Sequence, residues 1–183
     1  MSINTSFLKG MITMLVILLS ACGNSHVERK SPMLLVDTAA QSAIFDKLMN
    51  LTDQTIPGDV RNDSLAFLIL PVQASCPSCR KRAIDSIVGN QDNLQHRLFI
   101  LISANGGKKL ISSFFKEYDQ ELPLLAGRLF LDTTNQAFKY DLYDAQPTMY
   151  YTSDQKVYRK VVSKPSDIKE DLRFFFSGGN IAE

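Results

Sequence analysis

Residues 74–80 read Ala-Ser-Cys-Pro-Ser-Cys-Arg and place two cysteines, Cys76 and Cys79, three positions apart. The motif follows the apolar run 65–71, which predicts a buried strand, and leads into a helix-compatible segment at 80–88. A cysteine at the start of a helix faces unpaired backbone N–H groups and the positive end of the helix dipole, which stabilise its thiolate. The second cysteine follows one turn later, close enough to close a small disulfide ring. Strand, Cys-x-x-Cys and helix in this order indicate a redox-active pair, with half of a metal site as the alternative.

The N-terminal segment predicts an exported lipoprotein. Lys9 supplies one positive charge, residues 11–19 are almost entirely apolar, and Leu-Ser-Ala-Cys stands at 19–22. A charged start, a short apolar core and small residues at the break are typical of a secretory signal, and this core is too short to span a bilayer of about 30 Å. The break resembles the bacterial lipobox. We therefore expect residues 1–21 to be removed and Cys22 to carry the lipid that anchors the chain to the membrane.

A polar segment separates this anchor from the rest of the chain. Residues 22–36 are predicted to be a tether, residues 37–178 the domain, and residues 179–183 a frayed tail. In enterobacteria an aspartate directly after the lipidated cysteine would favour the inner membrane. This chain has Gly23 at that position, so the outer membrane is slightly favoured. The domain is then expected outside the cytoplasm, in the bacterial cell envelope. There a dithiol stays reduced only if an electron donor serves it.

Composition narrows the partners and the metal chemistry. The net charge of +1 gives no argument for a nucleic-acid partner. Lipidation of Cys22 leaves Cys76 and Cys79 as a pair with no spare thiol among the three cysteines. A structural zinc site needs four ligands, and the other candidates are the two histidines His26 and His96, of which the first lies in the tether. We therefore expect no metal site.

Hydrophobic periodicity predicts an alternating α/β chain. From residue 65 onward the predicted order is β-α-β-α-β, a linking helix, and then β-β-α, and a short strand and a helix precede it. The predicted strands are 33–36, 65–70, 97–103, 129–131, 147–152 and 156–162, and the predicted helices are 38–50, 80–88, 108–118, a short one within 132–143, and one that opens at Pro165 and Ser166.

With these elements the chain resembles the thioredoxin superfamily, and within it the membrane-tethered thiol–disulfide oxidoreductases of the TlpA/ResA type. The resemblance spans about residues 65–176. It is carried by the strand–Cys-Pro-Ser-Cys–helix unit, by Gln-Pro-Thr at 146–148, and by Pro147, which follows Cys76 by 71 positions, more than in plain thioredoxins. It implies an α/β, thioredoxin-like fold with a central mixed β-sheet flanked by helices and the α/β insertion of the TlpA branch.

The resemblance also implies roles for individual residues. Cys76 is expected to be the nucleophile and Cys79 the resolving cysteine, with a disulfide between them as the redox group and no other cofactor. Pro147 is expected to form a cis peptide bond beside the disulfide and to present the backbone of Gln146 to the substrate chain. Substrate contacts are also expected at Pro77 and Ser78.

The implied function is disulfide exchange with cell-envelope proteins that contain disulfides, as a reductase that a membrane thiol protein supplies with electrons. The basic residues Arg80, Lys81 and Arg82 are expected either to lower the pKa of Cys76 or to form a solvated helix face. Ser75 stands where the family usually has tryptophan, and Leu70 where many thioredoxins carry a buried carboxylate. These departures leave the direction of electron flow open.

Other functions fit less well. A non-catalytic thioredoxin-fold adaptor with a structural disulfide is the alternative that the departures favour. A peroxiredoxin would need a threonine between Pro71 and Cys76, and none is present. A copper chaperone of the Sco type would need Cys-x-x-x-Cys. Gly-Gly-Lys-Lys at 106–109 lacks the spacing of a phosphate loop and is interpreted as the start of a helix.

Overall fold

A mixed six-stranded sheet organises the chain, in a computed structural model that describes residues 33–73 and 76–179. The predicted signal peptide, the predicted lipid site Cys22, Ser75 and residues 180–183 lie outside the described residues. The strands are β1 Met33–Leu34, β2 Leu65–Pro71, β3 Leu98–Ser103, β4 Leu129–Asp132, β5 Thr148–Ser153 and β6 Lys156–Val162, and the α-helices are α1 Thr38–Leu51, α2 Pro77–Gly89, α3 Gly107–Lys116, α4 Gln136–Lys139 and α5 Ile168–Phe176.

The strands lie in the order β1-β6-β5-β2-β3-β4. β2, β3 and β4 are parallel, whereas β5 runs antiparallel to both β2 and β6. β2 is therefore the strand at which parallel pairing on one side meets antiparallel pairing on the other. The predicted α/β fold, with a central mixed sheet flanked by helices, is confirmed.

β2 is buried on both faces because helices cover both sides of the sheet. All seven of its residues are buried. Its even-numbered positions, such as Leu68, pack in a cluster with residues of α2, α3 and α5. Its odd-numbered positions, such as Phe67, pack in a second cluster with residues of α1 and α4. The continuous apolar run, rather than an alternating one, is the sequence signal of such a two-sided strand.

An additional α/β pair lies between β3 and α4. α3 leaves the end of β3, and β4 returns to pair in parallel with β3 at the edge of the sheet. The 71 positions between Cys76 and Pro147 led us to expect such an element. None of the helices in residues 33–73 and 76–179 has the length and apolar character to cross a membrane.

The sheet begins before residue 37, where the sequence analysis placed the start of the domain. Met33 pairs with Lys160 and Leu34 with Arg159, which makes β1 an edge strand beside β6. Both apolar side chains remain largely exposed. The pairing depends on β6, which is more than 120 positions away and gives no local signal at Met33.

Candidate redox site

The motif lies where β2 ends and α2 begins. Cys76 is the N-cap of α2 and Pro77 its first residue, a position that suits proline because no hydrogen bond from its nitrogen is needed there. The helix therefore starts three residues earlier than predicted from residue 80. Proline at the first position and a side chain that accepts a hydrogen bond at the cap explain the earlier start.

The sulfur atoms of Cys76 and Cys79 are bonded to each other. Cys79 is completely buried in the cluster between the sheet and α2, whereas Cys76 is only half-buried. The accessible sulfur is thus the one at the helix start. This is the distribution of exposure expected for an attacking and a resolving thiol.

Two donors meet the sulfur of Cys76. The backbone N–H of Cys79 donates to it at 3.1 Å, and the hydroxyl of Ser78 lies 3.4 Å away. A disulfide sulfur carries no hydrogen, so Ser78 is the donor in that contact. The same two donors, together with the N-terminal end of the α2 dipole, would stabilise a thiolate at this position. No acidic residue stands in the first turn of α2 to oppose that effect.

The loop before the cysteines is held from two sides. Gln73 exchanges two hydrogen bonds with the backbone of Asn105, in the loop that follows the neighbouring strand β3. On the other side, Nη1 of Arg80 donates to the carbonyl of Val72 at 3.1 Å. The carbonyl of Pro77, within the motif, accepts a long hydrogen bond of 3.4 Å from the hydroxyl of Tyr118. The motif is therefore attached to β2, to the β3 loop and to the segment that follows α3.

The three basic residues after Cys79 have different surroundings. Lys81 forms an exposed ion pair with Asp85 at 2.8 Å. Arg82 donates to the carbonyl of Pro165 at 3.4 Å, again on the surface. Arg80 is half-buried, and its guanidinium lies 5.6 Å from the centre of the Phe114 ring. In the sequence the three residues are related to Cys76 only by their position. The structure distinguishes them, because each has different surroundings.

Pro147 lies directly before β5, at the end of the sheet where β2 leads into the cysteine loop. Thr148 pairs with Ile69 near the end of β2, and Pro147 directly precedes Thr148. Pro147 is buried, while Pro77 and Ser78 are exposed beside Cys76. Gln146 is partly buried, and its side-chain Oε1 is buried without a hydrogen-bond partner in the described residues.

The prediction of a cis bond at Pro147 is wrong, since no peptide bond in the described residues is cis. A trans bond is the ordinary state before proline. The backbone carbonyls of Gln146 and Pro147 both accept hydrogen bonds in this geometry. The hydroxyl of Thr148 donates to the Gln146 carbonyl at 3.0 Å, and the N–H of Ser163 donates to the Pro147 carbonyl at 2.9 Å. These local hydrogen bonds are compatible with the trans bond.

Leu70 is fully buried in the same hydrophobic cluster as Cys79, so an apolar side chain occupies that position in the core. A half-buried carboxylate on this face of the sheet belongs to Asp171 of α5. Burial raises the pKa of Asp171, while the nearby hydroxyl of Ser163 and the charge of Arg159 act in the opposite direction. Nothing in the sequence marks Asp171, because an acidic residue in an amphipathic helix gives no signal of partial burial.

A buried polar cluster lies at the end of the sheet that also holds the cysteine loop, where β3 and β4 end. The hydroxyl of Ser103 donates to the carboxylate of Asp132 at 2.7 Å, and the same carboxylate accepts hydrogen bonds from the N–H groups of Gln136 and Ala137 at the start of α4. The hydroxyl of Tyr143 donates to Asn135 of the same turn, and burial raises its pKa. The cluster fixes the β4–α4 turn. The sequence gives no sign of this cluster, because Ser103, Asp132 and Tyr143 stand far apart along the chain.

Comparisons with known proteins give similarity to solved structures only. No protein-family model matches the chain, and no curated protein matches it. A secreted disulfide oxidoreductase of Mycobacterium tuberculosis, homologous to E. coli DsbE, is 10% identical with a TM-score of 0.38, covering 63% of this chain and 84% of that one. A thioredoxin-like protein solved in its oxidised form is 14% identical with a TM-score of 0.43, covering 70% and 84%.

The thioredoxin domain of a thiol-disulfide oxidoreductase from Bacteroides vulgatus is 12% identical with a TM-score of 0.38, covering 64% of this chain and 82% of that one. At these values the similarities assign no role to any residue of this chain. The chemistry of the site is therefore inferred from the geometry of this chain alone.

Proposed function

We propose that this chain is a thioredoxin-like thiol–disulfide oxidoreductase of the bacterial cell envelope, which uses the Cys76–Cys79 pair as its redox group. The observation that carries the proposal is the asymmetry of the two sulfurs. The half-buried one caps α2 and receives two donors, and the other is bonded to it inside the core. A disulfide that served stability alone would close a loop of only a few residues, and such short loops contribute the least loop-closure entropy.

The proposed reaction is thiol–disulfide exchange. In the reduced protein the Cys76 thiolate attacks one sulfur of a partner disulfide. A mixed disulfide forms, the partner's S–S bond breaks, and the partner's other sulfur leaves as a thiolate. Cys79 then gives up its proton to water, and its thiolate attacks the Cys76 sulfur, which restores the intrachain disulfide and releases the second partner thiolate. Two electrons pass to the partner, whose two thiolates take up protons from water.

The proposed direction is reduction of the partner, which leaves the chain oxidised after each turnover. A dithiol protein of the membrane would return the two electrons by the same exchange in reverse. The partners are then envelope proteins that contain disulfides. The proposed contact surface for those partners is formed by Pro77 and Ser78, which follow Cys76 in the chain, and by Gln146 and Pro147, which precede the β5 residue that pairs with Ile69 near the end of β2.

The decisive test of the mechanism is a Cys79→Ser variant expressed in its native envelope. With the resolving thiol removed, the mixed disulfide cannot be released, so partners should accumulate as covalent adducts on Cys76. Adducts are detected by non-reducing electrophoresis and should disappear after reduction. The double variant Cys76→Ser, Cys79→Ser is the matched control. A Cys79→Ser protein that carries no adducts beyond this control would contradict the exchange mechanism.

The reduction potential of the pair distinguishes the competing roles. A reduction potential of about −270 mV, where thioredoxins lie, supports a reductase, whereas a potential of about −120 mV would point to an oxidase. The second candidate function is a non-catalytic adaptor with a structural disulfide, which the apolar Leu70 in the same cluster as the buried cysteine favours. A pair that dithiothreitol fails to reduce in the folded protein would decide for the adaptor.

We also propose that lipid on Cys22 anchors the domain to the membrane, with the outer membrane slightly favoured. The support is the lipobox-like break in the sequence. Labelling of cells with palmitate should mark the full-length chain but not a Cys22→Ala variant. The variant should also be recovered from the soluble envelope fraction. Equal labelling of the two chains would overturn this part of the proposal.

A further inference from the structure

We infer that Arg80 is a positioning residue of the redox site, whose guanidinium is clamped beside the start of α2 and stabilises the Cys76 thiolate. This inference rests on the proposed function for its biological meaning, although it concerns the chemistry of one thiol. Sequence alone ranks Arg80, Lys81 and Arg82 together. The structure distinguishes them by their direction, their burial and their partners.

Direction is the first distinction. The N–H of Arg80 donates to the carbonyl of Cys76 at 3.0 Å, so the two residues are one helical turn apart and share a face of α2. Long side chains of a helix lean toward its N-terminus. The guanidinium of Arg80 follows this rule, because it reaches back to the carbonyl of Val72, which precedes the helix. Its charge is therefore held at the Cys76 end of α2.

The second distinction is how the guanidinium is held. Its Nη1 is fixed by Val72 at one end, and its carbon lies over the ring of Phe114 from α3. Phe114 contacts Tyr118 edge to face, and Tyr118 donates to the carbonyl of Pro77 in the motif itself. Phe114 of α3 thus contacts Arg80, which follows Cys79, and Tyr118, just beyond α3, contacts Pro77, which precedes Cys79. An arginine held in this way loses little further freedom when a thiolate forms beside it.

The third distinction is charge compensation. Lys81 is neutralised by Asp85, and Arg82 lies exposed near a carbonyl, where water screens its charge. Within residues 33–73 and 76–179, no carboxylate pairs with Arg80, and its buried Nε has no hydrogen-bond partner. A partly buried and uncompensated cation acts on its surroundings more strongly than an exposed one, because the effective dielectric constant is lower.

The experiment measures the pH dependence of Cys76 alkylation by iodoacetamide in the fully reduced protein, with Arg80→Met and Arg82→Met as matched variants that each remove one positive charge. For Arg80→Met we expect the pH midpoint to rise by about 0.5 to 1, and the rate below both midpoints to fall about three- to tenfold. For Arg82→Met and for Lys81→Met the rate should change less than about twofold. Equal shifts in Arg80→Met and Arg82→Met, or none in either, would overturn the inference.

Two further variants separate charge and clamp from loss of folding. Arg80→Lys keeps the charge and should restore most of the original pH profile, whereas a profile like that of Arg80→Met would overturn the electrostatic role. Phe114→Leu keeps the charge but removes the ring under it, and should move the midpoint in the same direction by a smaller amount. An unchanged midpoint in Phe114→Leu would overturn the clamp. Circular dichroism of each reduced variant identifies any that is unfolded.

The same data separate this inference from the proposed function. If the midpoint of the original protein depends on Arg80 while the Cys79→Ser chain traps no partner, the inference stands and the proposed function fails. If partners are trapped while the midpoint ignores Arg80, the proposed function stands and the inference fails.

Discussion

The starts of α2 and α3 occupy equivalent places in the fold and differ in one chemical respect. Both helices follow neighbouring parallel strands, β2 and β3, and begin at the same edge of the sheet. The cap of α2 is Cys76, whose sulfur accepts an N–H, whereas the cap of α3 is Gly106, which has no side chain to accept one. Neither first turn carries an acidic residue. The fold thus provides the positive end of a helix twice, and only one of the two holds an atom that can become an anion.

A helix start by itself therefore does not make a reactive site. The β3–α3 junction has the same strand direction and its own helix terminus, but its sequence, Gly-Gly-Lys-Lys at 106–109, offers no nucleophile. At the β2–α2 junction the terminus, the donors and the cysteine coincide. Substitutions at the two junctions should therefore change different properties of the protein.

Replacing Cys76 by serine should have the largest effect. Serine is a good N-cap, so α2 should still form, but its hydroxyl does not exchange with disulfides at neutral pH. We expect the rate of reduction of a disulfide-containing model peptide to fall at least about a thousandfold relative to the original reduced protein. Retained circular dichroism shows that the fold persists. A residual rate above one per cent would mean that the buried Cys79 is attacked or attacks directly.

Replacing Gly107 by alanine at the other junction should affect stability only. Gly107 has a φ of 77°, in the left-handed region that an alanine side chain disfavours, although nothing lies within 4 Å of the position of an added Cβ. The free energy of unfolding should fall by about 1 kcal/mol. Urea titration measures this fall, and the alkylation rate of Cys76 should stay within error of the original. A changed alkylation rate would show that the two junctions are coupled.

Replacing Ser78 by alanine should produce the smallest of these effects. It removes one donor from the Cys76 sulfur, and the contact is long at 3.4 Å and exposed. The cost to the thiolate should be about 0.5 kcal/mol, which slows alkylation below the pH midpoint about twofold. The pKa of Cys76 should rise, because the donor favoured the charged form. A tenfold effect would mean that Ser78, rather than the helix terminus, is the principal stabiliser of the thiolate.

The apolar strands and the order of elements could be predicted because their signals are local. The run 65–71 is buried on both faces, and α1 spans Thr38–Leu51, close to the predicted helix at 38–50. The last helix begins at Ile168 rather than at Pro165, because a turn with hydrogen bonds from Asp167 and Ile168 to Lys164 comes first. Such shifts arise where side chains and turns compete for the same backbone groups.

The surroundings of the site could be predicted less well, because they depend on residues far apart in sequence. Nothing near Arg80 indicates that Phe114 will lie under it while Lys81 finds Asp85. The carbonyl of Pro147 likewise accepts a hydrogen bond from the backbone of Ser163, a partner 16 positions along the chain. A motif fixes which atoms are reactive, whereas tertiary packing fixes their electrostatic environment.

The complete burial of Cys79 has a consequence for the timing of the proposed reaction. A reagent or partner that approaches the folded protein meets a single sulfur, so every productive encounter begins with the same covalent bond. The second step is then first order and independent of partner concentration, since both reacting sulfurs belong to one adduct. The lifetime of that adduct is set by how readily the start of α2 lets the inner sulfur reach the outer one. The rigidity of the first turn of α2 would thus determine the lifetime of the mixed disulfide.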